Sequence, residues 1–123
     1  MATFAELDEN NIVISCVKVR NEDIGNLEFP ESEPVGLEYL YQTFGVHRKY
    51  LQTSISGAFR NTFGRVGYKY YPEYDVFIEP KPPVFPSFVL DTEKFKWVPP
   101  VPCPDDGKLY VWDESSISWK SIE

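Results

Sequence analysis

The sequence predicts an α+β fold that is mainly β: a small N-terminal sheet with one short helix, followed by β-hairpin repeats linked by proline. Three observations predict it. Aromatic residues make up 16% of the chain, and with β-branched residues they suit half-buried pleated surfaces. Eleven prolines break helices and favour turns, strand edges and extended connectors. The C-terminal half also repeats one strand–turn–strand unit. A length of 123 residues fits one domain with a modest core. Residues 1–66 read as a small α+β head. Residues 67–123 read as the repeated hairpins, expected to pack with the head as a single domain.

The opening "TFAELDENNIVISCVKV" places two β-like runs around Asp8-Glu9-Asn10-Asn11. Asp8 and Asn10 are hairpin-turn residues, because Asp and Asn accept left-handed and Asx-turn conformations. After the turn, Ile12, Ile14, Cys16 and Lys18 alternate with Val13, Ser15, Val17 and Val19. Both faces are mostly apolar, so the run is expected to be a central strand, with Cys16 a small buried hydrophobe. Residues 20–34 are acidic and turn-rich and read as an exposed loop. In "SEPVGLEYLYQTFG", Pro34 suits a first helical turn and Gly45 a stop. Val35, Leu37, Leu40, Tyr41 and Phe44 recur at helical spacing, although Gly36 weakens the pattern.

His47 has no Cys, Asp or Glu near it at ligand spacing and reads as a surface or capping residue. A strand is expected around residues 50–54, then an irregular segment punctuated by Gly57, Gly64 and Gly67. No lysine follows these glycines at phosphate-loop spacing, so they read as turns.

The repeat aligns "FVLDTEKFKW" (88–97) with "YVWDESSISW" (110–119). Phe88 matches Tyr110, Leu90 matches Trp112, Asp91 matches Asp113, Phe95 matches Ile117 and Trp97 matches Trp119. A weaker copy, "YKYYPEYDVF" (68–77), places Tyr68, Tyr70 and Phe77 in matching positions. Asp91 and Asp113 stand where a carboxylate accepts turn amides and fixes the register. The connectors "IEPKPPVFPS" and "VPPVPCPDDGK" are stiffened by proline.

Trp97, Tyr110, Trp112 and Trp119 are the candidate interaction or packing aromatics. Core and cross-strand packing is the favoured reading for the tryptophans; a stacking surface for a sugar or partner chain is the other. Asp105, Asp106, Asp113 and Glu114 invite a calcium or paired-carboxylate reading. Asp106-Gly107 reads instead as a turn, and no EF-hand spacing is present. No catalytic, cofactor-binding or metal residue is therefore assigned, and an enzyme is not expected.

A net charge of −7 and scattered basic residues argue against nucleic-acid binding. No stretch approaches the ~18 apolar residues of a membrane span, and "MATFAELDENN" lacks the pattern of a signal peptide. Cys16 and Cys103 are the only cysteines. Two are no disulfide framework, a bond between them stays open, and Cys103 is expected in an exposed turn.

Four stretches carry a wider likeness: "MATFAELDENNIVISCVKVRNEDI", "GLEYLYQTFG", "YLQTSISGAFRNTFGRVGYKYYPEYDVFIEPKP" and "PSFVLDTEKFKWVPPVPCPDDGKLYVWDESSISW". In this order they resemble a family of small virion structural proteins of tailed marine phages, cyanophages and their relatives, encoded often near tail and fibre genes. The likeness covers nearly the full chain. Its most specific parts are Leu7-Asp8-Glu9-Asn10-Asn11, Phe77-Ile78-Glu79-Pro80-Lys81-Pro82, and Asp106-Gly107 with Trp112-Asp113-Glu114. It implies a non-enzymatic capsid-decorating or tail-associated protein, made in the host cytoplasm and carried in the virion. Its partners would be other virion proteins, with room for self-association. The alternative, suggested by Trp and Tyr beside polar turns, is a host-surface or glycan-binding module of a tail fibre.

Overall fold

A computed structural model describes residues 1–122. The fold is α+β and mainly β, with one α-helix among the described residues and short antiparallel sheets. Two compact units divide it, Met1–Pro80 and Lys81–Glu123; residue 123, the last of the expected hairpin region, lies outside the described residues.

In the first unit, β1 (Ala2–Leu7), β2 (Val13–Val19) and β3 (Lys49–Thr53) form an antiparallel sheet in the order β2-β1-β3. The central strand is therefore β1, and the expectation of a central β2 is corrected. As an edge strand β2 is only partly covered, and its Ile14, Cys16 and Lys18 are exposed. Cys16 is accordingly not the buried hydrophobe expected. Its Sγ donates to the Gly64 carbonyl at 3.3 Å, and partial burial pushes the thiol pKa up.

The inward side of β2 is divided by a bulge. Glu6 lies opposite Ser15 but Leu7 lies opposite Val13, which leaves Ile14 as the extra residue. An extra residue inverts the alternation of a strand. Val17 and Val19 thus join Ala2, Phe4, Ile24, Leu40 and Tyr50 on one face of the sheet. Val13 joins Ala5, Leu7 and Phe77 on the other. Each face has its own cover.

The first cover is α1 (Ser32–Phe44), with a 3₁₀ turn at Asn21–Ile24. Ile24 is buried, so residues 20–34 are not wholly the exposed loop expected. The helix buries Ser32, Gly36 and Leu40, while Val35 and Phe44 are exposed. Gly36 is the point of closest approach: a Cβ there would lie 2.2 Å from Phe4 Cζ. The glycine that weakens the helical pattern in the sequence is what lets the helix reach the sheet. Ser32 does not cap α1; its hydroxyl donates instead to Gln52 Oε1 at 2.8 Å in the interior.

The second cover is the first hairpin, β4 (Lys69–Tyr71) with β5 (Val76–Ile78). Phe77 is fully buried, and Gly64 is held against its ring, 2.8 Å separating Phe77 Cε1 from where a Cβ would stand. Gly64 is thus a close-approach glycine and not the turn expected. The segment before the hairpin also pairs with the start of β2, through Val13 N–H to Tyr68 O at 2.8 Å and Gly67 N–H to Val13 O at 2.9 Å. These contacts place the hairpin within the first unit, and the sequence boundary at 66/67 falls inside that unit.

The second unit holds two further hairpins, β6 (Val89–Asp91) with β7 (Lys96–Val98), and β8 (Tyr110–Asp113) with β9 (Ser118–Ser121). The repeat is realised residue by residue. Tyr70 pairs with Phe77, Leu90 with Trp97 and Trp112 with Trp119. The last turn residue is left-handed in all three, with φ 53° at Asp75, 54° at Phe95 and 51° at Ile117. The copies differ in burial: every described residue of the second unit keeps at least partial exposure.

Candidate functional site

The aromatic residues of the second unit form a connected row. Phe85 stacks on Phe88 with ring centroids 4.7 Å apart. Phe88 meets Trp112 edge-on at 5.9 Å, and Trp112 meets Trp119 edge-on at 5.3 Å. Such offset and edge-to-face contacts add roughly 0.5–1.5 kcal/mol each beyond area burial. Trp112 and Trp119 face each other across the third hairpin, and all three tryptophans are half-buried and not in a closed core.

Polar groups hold the row in place. The Glu114 carboxylate accepts from Ser87 N–H at 3.1 Å, Ser87 Oγ at 2.7 Å and Trp112 Nε1 at 3.2 Å. Burial opposes its charge, but the donors from Ser87 and Trp112 outweigh it and hold the carboxyl below its usual range. Glu114 is therefore a bolt between the connector and the third hairpin. Trp119 Nε1 donates to the Val101 carbonyl at 2.8 Å. Both indole N–H groups are satisfied within the unit, so what remains exposed of these residues is ring surface.

The other sequence candidates lie in the hairpins. Trp97 is half-buried opposite Leu90, with Lys81 Nζ 5.5 Å from the ring centroid. Tyr110 shares β8 with Trp112, and its hydroxyl donates to Asp106 Oδ2 at 2.6 Å; that bond raises the tyrosine pKa and lowers the Asp106 one. Asp8 Oδ1 accepts from the N–H groups of Asn10 at 2.8 Å and Ile12 at 2.9 Å. Asp91 Oδ1 accepts from Glu93 and Lys94 N–H at 2.8 and 3.2 Å, which lowers its pKa. Asp113 works differently: the hydroxyls of Ser116 at 2.6 Å and Ser115 at 2.9 Å hold it and lower its pKa.

Sequence reasoning missed Phe85 as a member of the row and Ser87 as the donor pair that Glu114 holds. The available signal was that Phe88 opens the repeat immediately after them. It also missed the principal charge network of the first unit. Arg60, with its side chain 8% exposed, grips the Glu33 carboxylate with both terminal nitrogens. Its Nε donates to Asp75 Oδ1 at 2.8 Å and its Nη1 to the Gln52 carbonyl at 2.9 Å. Glu33 Oε2 in turn accepts from Gln52 N–H at 2.8 Å. The outer backbone groups of Gln52 on the edge strand β3 are thus occupied by side chains, one of the ways a sheet edge is blunted.

Asp75 also accepts from the Tyr70 hydroxyl at 2.6 Å. Burial, with that hydrogen bond, pushes the Tyr70 pKa up to about 12. Burial opposes the Asp75 charge, but donation from Tyr70 and Arg60 outweighs it and lowers the Asp75 pKa. This network fastens the first hairpin to α1 and β3.

His47 is exposed beside an open groove of about 580 Å³ lined also by Glu6, Asp8, Glu9, Arg48 and Lys49. Among the described residues no three His, Cys, Asp or Glu side chains are grouped as a metal ion requires, and no helix is long and apolar enough to cross a membrane. Cys16 and Cys103 are both free and exposed. Comparison with protein-family models, with curated proteins and with solved structures finds no match.

Proposed function

We propose that the chain is a non-enzymatic virion structural or accessory protein, decorating a capsid or assembling with a tail, and that it acts through protein–protein contacts. The observation that carries the reading is the outer surface of the third hairpin. Leu109, Val111 and Ile122 are 59%, 52% and 61% exposed, on a unit whose aromatic row is already bolted by Glu114 and Val101. A grouped apolar surface on a rigid support is what a partner covers. Pre-ordered hairpins also lower the ordering cost of docking. The likeness to small virion proteins of tailed phages supplies the setting, and other virion proteins are the partners.

The test is incorporation into particles. A Val111→Asp variant changes the outer surface without touching the aromatic row. It is expected to melt like the wild type and to be incorporated at least ~10-fold less, the effect of roughly 1.4 kcal/mol of lost contact. Normal incorporation with loss of attachment to host cells would overturn the reading and favour the glycan-binding alternative.

A further inference from the structure

The contact between Trp119 and Val101 has a chemistry of its own. Val101 lies within "PPVPCP", residues 99–104. Proline has no N–H, so carbonyls in such a segment have few local donors and stay available to an outside one. The stiff backbone also has little freedom to lose on binding. Proteins that recognise proline-rich segments place them on grooves lined by aromatic rings. The second unit brings these parts together: a row of aromatic rings at 4.7–5.9 Å spacing ending in Trp119 of the third hairpin, whose Nε1–H donates to a carbonyl flanked by Pro100 and Pro102 at 2.8 Å.

We infer that the Trp119 hairpin is a recognition site for proline-rich segments and that the chain's own connector, residues 99–104, fills it. The assignment rests on this contact and stands whether or not the protein belongs to a virion. The connector is covalently tethered, so it competes at an effective concentration on the order of millimolar. An outside proline-rich segment of equal intrinsic affinity gains access only above that level or when the connector is displaced. The contact is therefore self-occlusion, and a proline-rich loop or tail of a partner is the ligand.

The probe is a synthetic peptide of sequence VPPVPCPD carrying a nitroxide on its cysteine through a thioether. In a Pro99→Gly/Pro100→Gly/Pro102→Gly variant, the peptide is expected to broaden the Trp119 indole N–H resonance saturably, at a concentration at least ~10-fold below that needed with wild type. A further Trp119→Phe change, which keeps an aromatic ring but removes the donor, is expected to weaken peptide binding at least ~10-fold; tryptophan fluorescence reads this arm. A peptide with alanine in place of every proline is expected to give no broadening. Should the glycine variant unfold, wild-type protein with peptide above the millimolar range decides, since broadening is still expected there. No broadening in wild type under that excess overturns the inference. So does equal binding by the Trp119→Phe protein or by the alanine peptide.

Discussion

Trp112 and Trp119 stand directly opposite one another across the third hairpin, their rings edge-to-face with centroids 5.3 Å apart. Tyr70 and Phe77 hold the same register in the first hairpin, at 5.5 Å. The first pair is pressed onto a sheet, with Phe77 fully buried. The second is covered by a phenylalanine and by proline-rich connector backbone. One repeat unit therefore serves two kinds of cover, and the difference lies in what surrounds the hairpin.

The shared turn has a cost at Ile117, a β-branched residue at φ 51°. Such residues are outliers in the left-handed region, whereas Asn adopts it readily. Ile117 is half-exposed, so little packing is lost on replacement. Ile117→Asn is expected to stabilise the third hairpin by ~0.5–1 kcal/mol, read as slower amide exchange of β8 and β9.

Gly36 and Phe4 leave no room between helix and sheet. Alanine suits a helix better than glycine by ~1 kcal/mol, yet Gly36→Ala is expected to destabilise the protein by ~1–3 kcal/mol through overpacking. Urea unfolding measures the sign directly. Phe4→Leu in the same chain is expected to recover part of the Gly36→Ala loss.

Arg60 is the buried cation on which Glu33, Asp75 and the Gln52 carbonyl converge. Arg60→Ala is expected to cost ~3–5 kcal/mol, because partly buried carboxylates lose their counter-charge. Arg60→Lys is expected to recover little, since an ammonium cannot reproduce the two-nitrogen grip. Denaturant midpoints of the two variants check both statements.

The same cluster sets an alkaline limit. Burial and the Asp75 hydrogen bond push the Tyr70 pKa from its ordinary value of 10.0 up to about 12 in the folded chain. A group whose folded pKa is raised contributes stability below the unfolded value and loses it as pH rises through the folded one. Unfolding free energy is therefore expected to fall between pH ~10 and ~12, by ~1 kcal/mol once solvent screening of the partly exposed ring is allowed for. Tyr70→Phe is expected to remove that slope. Asp75, whose folded pKa is lowered, acts at the other end: its contribution is present above the unfolded carboxylate value and is lost as pH falls through the folded one.

Much of this architecture was legible because it is local. The register of the hairpins follows from side chains close in sequence, and Asp8 and Asp91 cap their turns within four residues. The features that escaped are set by long-range packing. The bulge that divides β2 between two cores depends on how Leu7 meets Val13, and the alternation of the strand alone reads as one continuous face. The exposure of Cys16 follows from the edge position of β2, which strand order decides. Arg60 meets partners 27 and 15 residues away, and no local pattern announces them. Likewise, the proline-rich connectors read as spacers, while the Trp119 bond to Val101 shows that one of them is also a packing partner.

The proposed role makes this chain a constituent of a virus particle. Mass spectrometry of purified particles whose genome encodes it, with copy number per particle, decides whether it holds that role. It is expected at a fixed stoichiometry, because symmetric assemblies offer a set number of equivalent sites. Absence from intact particles, with the protein found only in infected cells, would contradict it.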